Sequence, residues 1–192
     1  MEPRIYLAGP DVFFPDPLSR GEAKKDLCRT YGFEGVFPLD ADFDPANLEK
    51  REQAVQISRN NERLIRTCNL LIANMTPFRG PSMDVGTAFE MGFARALEKP
   101  VLGYTNDARK FKDRTLASIG GINKKEIGRL ADRHDMAIED FDLTDNLMID
   151  GAVYLSSGTR VVVSKTTKKN YYADLSVFEQ CLVLARKFFG KG

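Results

Sequence analysis

Histidine, cysteine and tryptophan are scarce in this chain of 192 residues, which has one histidine, three cysteines and no tryptophan. A histidine-based zinc site or a Ser-His-Asp triad would depend on His134, which lies in a polar stretch typical of an exposed surface. Cys28, Cys68 and Cys181 are far apart and form no C-x-x-C pattern, so we expect neither a disulfide framework nor a metal or other cofactor. If the chain is an enzyme, we expect carboxylates to carry out its chemistry.

An excess of positive charge and a long apolar run are also absent. Lys and Arg total 28 against 27 Asp and Glu, a balance that does not predict binding to a nucleic acid polymer. No apolar run approaches the roughly 20 residues that span a bilayer, and the N-terminal residues lack the layout of a signal peptide. We therefore expect a cytosolic protein without membrane association. Its hydrophobic content of 43% allows a sizeable core and excludes global disorder.

Short apolar runs alternate with helical patterns through the first half of the chain. Strands are predicted at 5–8, 35–39, 70–73 and 101–104, with helices between them at 17–31, 47–67 and 82–97. Strands separated by helices predict an α/β fold with a parallel sheet. Such sheets bind ligands beyond the carboxyl ends of their strands, so we expect the site in the loops that follow these runs.

The pattern weakens after Tyr104. Residues 105–142 are polar and predict an insertion, either with a helix near 125–133 or as a partly mobile segment. A fifth strand is predicted at 159–164, and apolar residues at helical spacing predict a C-terminal helix at 173–189. We therefore expect residues 1–192 to form a single domain, with a C-terminal extension over about 154–192.

The segment from Asn74 to Gly92 holds the densest group of candidate site residues. Glu90 would lie on a helix, on the same side as Gly86 and Thr87 one turn earlier, which leaves room for a ligand to approach its carboxylate. From the spacing alone, the simpler interpretation is an ordinary exposed glutamate beside small residues that allow close helix–sheet packing.

Two other features are compatible with ligand binding. Tyr6 offers a phenol near a strand end, and the N–H of Gly9 can approach a ligand, although Tyr6 equally suits a core position. Residues 80–82, Gly-Pro-Ser, precede a helix and could hold a phosphate at its N-terminus. The G-x-G-x-x-G and P-loop motifs are absent, which excludes the standard dinucleotide and triphosphate cradles.

Six short motifs occur in a specific order along the chain. They are Ile-Tyr-Leu-Ala-Gly-Pro at 5–10, Phe-Pro-Leu-Asp at 37–40, Asn61, Thr-Pro-Phe-Arg-Gly at 76–80, Asp-Val-Gly-Thr-Ala-Phe-Glu-Met-Gly at 84–92 and Asn-Leu-Met at 146–148. Over roughly residues 4–151 the chain thus resembles the nucleoside 2-deoxyribosyltransferase family. The resemblance implies a flavodoxin-like fold, assembly into homo-oligomers, and transfer of a 2-deoxyribosyl group from a deoxynucleoside to a free nucleobase with retention.

The resemblance also implies roles for individual residues. Glu90 matches the nucleophile that forms a covalent deoxyribosyl-enzyme, and Tyr6 matches the tyrosine that orients it. Asp84 matches the carboxylate that binds the sugar 5′-hydroxyl, which Asn146 would reach from the neighbouring subunit. The Gly9 backbone would lie near the 3′-hydroxyl. The other substrate-binding residues that we expect are Arg79, Gly86 and Met148.

Asn61 departs from the family pattern, because better-studied members carry there an aspartate proposed to protonate the departing base. An amide cannot donate a catalytic proton in that way, although it can hydrogen-bond the base or the nucleophile. Asp40 and Asp42 are the candidates for the leaving-group acid and lie on the loop after the second strand. We expect this loop and residues 11–14 to set which bases are accepted.

Two alternative functions stay open. An N-glycosidase on the same scaffold would use water in place of the acceptor base, and Arg79 and Ser82 could bind a 5′-phosphate in it. Asp84 argues against such a phosphate, because a carboxylate at that position repels it. A non-catalytic nucleotide-binding module is also compatible with the fold, although it has no need for the set of site residues described above.

Overall fold

A five-stranded parallel sheet forms the centre of the computed structural model, which describes residues 2–40, 48–119, 123–124, 130–167 and 172–190. The strands are β1 Arg4–Ala8, β2 Glu34–Val36, β3 Leu70–Asn74, β4 Val101–Thr105, β5 Asn123–Lys124, β6 Leu130–Ala131 and β7 Val162–Val163. The sheet order is β2-β1-β3-β4-β7, while β5 and β6 form a separate antiparallel pair. Counted within the large sheet alone, this is the 2-1-3-4-5 order of flavodoxin-like folds, so the predicted fold class is confirmed.

The described residues contain six α-helices, most of which pack against the sheet. They are α1 Pro17–Thr30, α2 Lys50–Thr67, α3 Val85–Ala96, α4 Phe111–Ser118, α5 Leu147–Ser157 and α6 Ser176–Arg186. Short 3-10 segments occur at Pro10–Phe13, Pro38–Asp40 and Lys187–Phe189. None of the helices in the described part of the chain is long and apolar enough to cross a membrane.

The sheet has a buried layer of side chains on each face, which explains why its strands are apolar at consecutive positions. On one face Ile5 and Leu7 pack with residues of α1 and α6. On the other face Tyr6 and Ala8 pack with residues of α2, α3 and α5. Because side chains alternate along a strand, the register of β1 directs Tyr6 towards the helices that carry Asn61 and Glu90.

Two predictions of secondary structure are wrong, and two helices are not predicted. The strand predicted at 35–39 ends at Val36, because Pro38 has no N–H to donate to the sheet and begins a 3-10 turn instead. The helix predicted near 125–133 is contradicted at 130–131, which form β6, and 125–129 lie outside the described residues. The polar insertion contains the helix α4, and the sequence patterns do not predict α5 at all.

Candidate active site

The carboxylate of Glu90 lies in a cleft of about 350 Å³ between α2 and α3. Its Oε1 accepts a hydrogen bond from the Tyr6 hydroxyl at 2.7 Å and another from the Asn61 amide nitrogen at 3.3 Å. Residues of β1, α2 and α3 thus meet at one oxygen atom, and no described residue donates a hydrogen bond to Oε2. The interpretation of Glu90 as an ordinary exposed helix residue, which spacing alone favours, is therefore wrong.

The surroundings of this carboxylate favour the protonated forms of both Glu90 and Tyr6. Burial, reinforced by the charge of Glu90, raises the pKa of Tyr6 far above its usual value, so its phenol stays a hydrogen-bond donor. Burial raises the pKa of Glu90 from 4.5 to about 7; the charge of Asp84 adds to this rise, and the hydrogen bonds from Tyr6 and Asn61 oppose it. Near neutral pH Glu90 consequently exchanges between its two protonation states.

Asp84 is fixed at the N-terminus of α3. Its Oδ2 accepts hydrogen bonds from the backbone N–H of Thr87 at 2.8 Å and from the Thr87 hydroxyl at 2.9 Å, an arrangement typical of a helix N-cap. Glu90 lies six positions after Asp84, which is about 9 Å along a helix axis. A Cβ at Gly86 would lie 3.1 Å from Asp84 Oδ2, so this glycine leaves the approach to the carboxylate open.

Gly9 directly follows β1, at a point where two loops meet. A Cβ at this position would lie 2.8 Å from the Asn74 Cβ and 2.5 Å from Asp11 Oδ2, so a side chain does not fit there. Asn74 donates a hydrogen bond to Asp11 at 3.2 Å, and Asp11 forms a buried ion pair with Lys24 at 2.8 Å. These contacts hold the backbone after β1 close to the end of β3.

Two phenylalanines follow the ends of these neighbouring strands. The rings of Phe13 and Phe78 are stacked with centroids 5.4 Å apart, and the guanidinium carbon of Arg79 lies 5.1 Å and 4.6 Å from them. Phe13 lies within residues 11–14, which are expected to set base preference, whereas no role is predicted for Phe78. Aromatic residues that follow two adjacent strand ends are the signal that could have identified this pair.

Several expected site residues are not in contact with Glu90. Asp40 accepts a hydrogen bond from the Phe37 N–H at 2.8 Å and forms an ion pair with Lys25, so its carboxylate is held by its own loop and by α1. Asp42 lies outside the described residues. Asn146 caps α5, donates to Glu139 at 2.7 Å and accepts from the N–H of Met148, which is exposed.

The start of α5 nevertheless lies beside the start of α3. The buried Asp145 accepts hydrogen bonds from the Ser82 hydroxyl and from the N–H of Met83 at 3.0 Å. Asn146 therefore follows a residue that is anchored next to Asp84, while the hydroxyl of Ser82 is occupied within the chain. No group of three or more His, Cys, Asp or Glu residues that could hold a metal ion occurs in the ranges that the structure describes.

A half-buried carboxylate that is hydrogen-bonded by neutral donors, on a flavodoxin-like sheet, fits an enzyme that makes or breaks glycosidic bonds through a carboxylate. The model of the nucleoside 2-deoxyribosyltransferase family matches residues 5–148, and the chain belongs to this family. Membership supports a glycosyl-transferring or glycosidase activity on nucleosides.

Similar proteins occur in distant organisms. The uncharacterized protein C191.05c of Schizosaccharomyces pombe is 28% identical over 167 residues, which cover 81% of this chain and 79% of that protein. The structure of a 2-desoxiribosyltransferase from Leishmania mexicana matches with a TM-score of 0.62 and 28% identity, over 93% of this chain and 97% of that chain. A conserved protein from Enterococcus faecalis V583 shares the fold, with a TM-score of 0.58 and 20% identity over 98% and 99% of the two chains.

Proposed function

We propose that this protein transfers a 2-deoxyribosyl group from a deoxynucleoside to a second free nucleobase, with retention, through a covalent intermediate on Glu90. The observation that carries the proposal is the contact of Tyr6 and Asn61 with a single oxygen of the Glu90 carboxylate. Both donors are neutral and hold Oε1, so Oε2 is the oxygen that is left to attack the sugar.

The reaction takes two displacements at the anomeric carbon. In the first, Oε2 of Glu90 forms a bond to C1′ while the bond from C1′ to the base nitrogen breaks, and the base departs with that electron pair and takes a proton from solvent water. In the second, a nitrogen of the incoming base attacks C1′ and loses its proton to solvent, and the ester bond breaks so that its electron pair returns to the Glu90 carboxylate. Two inversions give net retention, as in retaining glycosidases.

A 2-deoxy sugar suits a site with one carboxylate at its reacting centre. Without the electron-withdrawing 2′-hydroxyl, the positive charge that develops at C1′ is less destabilised, and the N-glycosidic bond breaks more easily. One anion close to C1′ then suffices, and the mechanism requires no metal ion and no histidine. Asn61 does not supply a proton in this scheme; its amide supports the carboxylate form of Glu90.

Free deoxynucleosides fit the site better than nucleoside 5′-monophosphates. Asp84 would accept a hydrogen bond from the sugar 5′-hydroxyl, whereas its negative charge would repel a phosphate at the same position. Ser82, which could otherwise hold a phosphate, donates its hydroxyl to Asp145. We therefore assign the 5′ end of the substrate to Asp84, with the Gly9 backbone near the 3′-hydroxyl.

The proposal includes a homo-oligomer in which Asn146 acts on the neighbouring subunit. Helices α3 and α5 contact each other, and both leave large apolar side chains at the surface. Val85 and Phe89 on α3 are 85% and 60% exposed, and Met148 and Leu155 on α5 are each 70% exposed. An apolar surface of this kind is typical of a subunit interface. It lies next to Asn146, the residue expected to act across that interface.

Chromatography of a deoxynucleoside incubated with the protein, with and without a second free base, tests the proposal. We expect a new deoxynucleoside that forms only when the second base is present, and no product with Glu90→Gln. Free base that accumulates equally in both incubations would instead identify an N-glycosidase. Failure of the parent protein to react with deoxynucleosides or with their 5′-monophosphates would favour the binding module.

A further inference from the structure

A short segment that follows the family match lies across both loops that carry the aromatic pair. The match ends at residue 148, and Tyr172 lies well beyond it. The Tyr172 hydroxyl donates a hydrogen bond to the carbonyl oxygen of Pro77 at 2.6 Å. Its ring centroid lies 5.3 Å from that of Phe14 and 6.5 Å from that of Phe78. One side chain thus contacts the loop after β1 and the loop after β3.

Other contacts fix the position of this segment. The guanidinium of Arg20 donates hydrogen bonds to the carbonyl oxygens of Tyr172 at 2.7 Å and Ala173 at 3.0 Å. The amide of Asn106 donates to the carbonyl oxygen of Asp174 at 2.9 Å. The segment is therefore anchored to α1 and to the end of β4 without the Tyr172 hydroxyl, so losing that hydroxyl would release Pro77 and leave the segment in place.

The loop that Tyr172 holds has a strained backbone. Arg79 has φ of 57°, in the left-handed region that residues with a side chain adopt only when their surroundings impose it. The hydrogen bond from the Phe78 N–H to the Ser82 carbonyl closes this turn, and the bond from Tyr172 to Pro77 secures its beginning. Both contacts keep Phe78 stacked on Phe13.

We propose that Tyr172 is a positioning residue for the nucleobase, because it fixes the aromatic wall formed by Phe13 and Phe78. This inference rests on the proposed function, since it requires a nucleobase as ligand. A flat base stacks on aromatic rings, and these two rings lie at the edge of the sheet where ligands of this fold bind. Tyr172 does not touch the reacting atoms; it acts by holding Phe78 in place.

Tyr172→Phe is the test, because it removes the hydroxyl and keeps the ring. We expect the KM for the acceptor base to rise roughly fivefold to tenfold, the factor given by one lost hydrogen bond, with kcat within about twofold of the parent value. Tyr172→Leu, which also removes the ring contacts, is expected to raise this KM further. The pH dependence of kcat should not move, since neither change touches Glu90.

Tyr31→Phe is the matched control. The Tyr31 hydroxyl donates to Glu179 at 2.8 Å and likewise joins the C-terminal part of the chain to the rest, but away from the two loops. We expect this variant to keep the parent KM. An unchanged KM in Tyr172→Phe, or a fall in kcat alone, would overturn the inference while leaving transfer by the parent enzyme intact. If the parent protein itself transfers no sugar, the proposed function fails and the inference falls with it.

Discussion

Replacing Glu90 by glutamine is expected to abolish turnover and, at alkaline pH, to stabilise the fold. The carboxylate is the proposed nucleophile, and an amide cannot form the ester with the sugar. The same carboxylate is unfavourable for folding once it is ionised, because burial raises its pKa from 4.5 to about 7. Glutamine has nearly the same shape, can still accept the hydrogen bond from Tyr6, and carries no charge.

The size of this stabilisation follows from the pKa of Glu90. A rise from 4.5 to about 7 corresponds to about 3 kcal/mol, at roughly 1.4 kcal/mol for each pH unit. Because the pKa is higher in the folded state, protonated Glu90 stabilises the folded protein relative to ionised Glu90. This contribution to the free energy of unfolding is complete below pH 4.5 and is lost as the pH rises through 7. The gain in Glu90→Gln over the parent protein should therefore grow by up to about 3 kcal/mol over this range.

Urea unfolding of both proteins at about pH 5 and pH 8.5 measures the effect, with the pH-dependent difference in free energy of unfolding as the readout. Glu179→Gln is a matched control, because Glu179 also accepts a hydrogen bond from a tyrosine hydroxyl, at 2.8 Å from Tyr31, away from the cleft. If the difference between Glu90→Gln and the parent protein stays the same at the two pH values, the assignment of a raised pKa to Glu90 is wrong.

Three further predictions concern other residues of the proposed site. The kcat/KM of the parent protein should rise with pH as Glu90 ionises near pH 7. Tyr6→Phe removes a hydrogen bond that lowers the pKa of Glu90, so we expect the midpoint of this rise to shift to higher pH. An unmoved midpoint would contradict this. Asp84→Asn keeps a good helix cap but should raise the KM for a deoxynucleoside roughly tenfold or more. The KM for an analogue without the 5′-hydroxyl should not change. Equal effects on the two KM values would refute the assignment of the 5′-hydroxyl to Asp84. Asn146→Ala and Glu90→Gln are each expected to be inactive alone, and activity should return in mixed oligomers, whereas no recovery would argue against action in trans.

The sheet was largely predictable from sequence because both of its faces are buried. Strands covered on both sides are apolar at consecutive positions, and the predicted runs at 5–8, 70–73 and 101–104 correspond to β1, β3 and β4. The contact between Tyr6 and Glu90 was not accessible to local patterns, since 84 positions separate the two residues. Their pairing was expected only from the family resemblance.

Helix α5 shows where periodicity fails as a guide. A surface helix is recognised by its polar outer face, but α5 exposes Met148, Tyr154 and Leu155. Its ends still carried usable signals: Asn146 caps the first turn, and Gly158 ends the helix in the left-handed conformation with φ of 67°. An apolar outer face is what an interface helix would need. The same feature therefore explains why periodicity does not predict α5 and supports the proposed oligomer.

The burial of Glu90 also bears on the choice between transfer and hydrolysis. A carboxylate with a pKa of about 7 is a stronger nucleophile than an exposed one, but it is a poorer leaving group, so the proposed sugar ester should form readily and break slowly. A long-lived ester favours transfer only if water is kept away until the second base arrives. In the proposed reaction the bound base would displace water from the cleft, and the hydrogen bond from Tyr6 would stabilise the negative charge as the ester breaks. One physical cause, partial removal of the carboxylate from water, would thus favour both the proposed nucleophile and the proposed nucleobase acceptor.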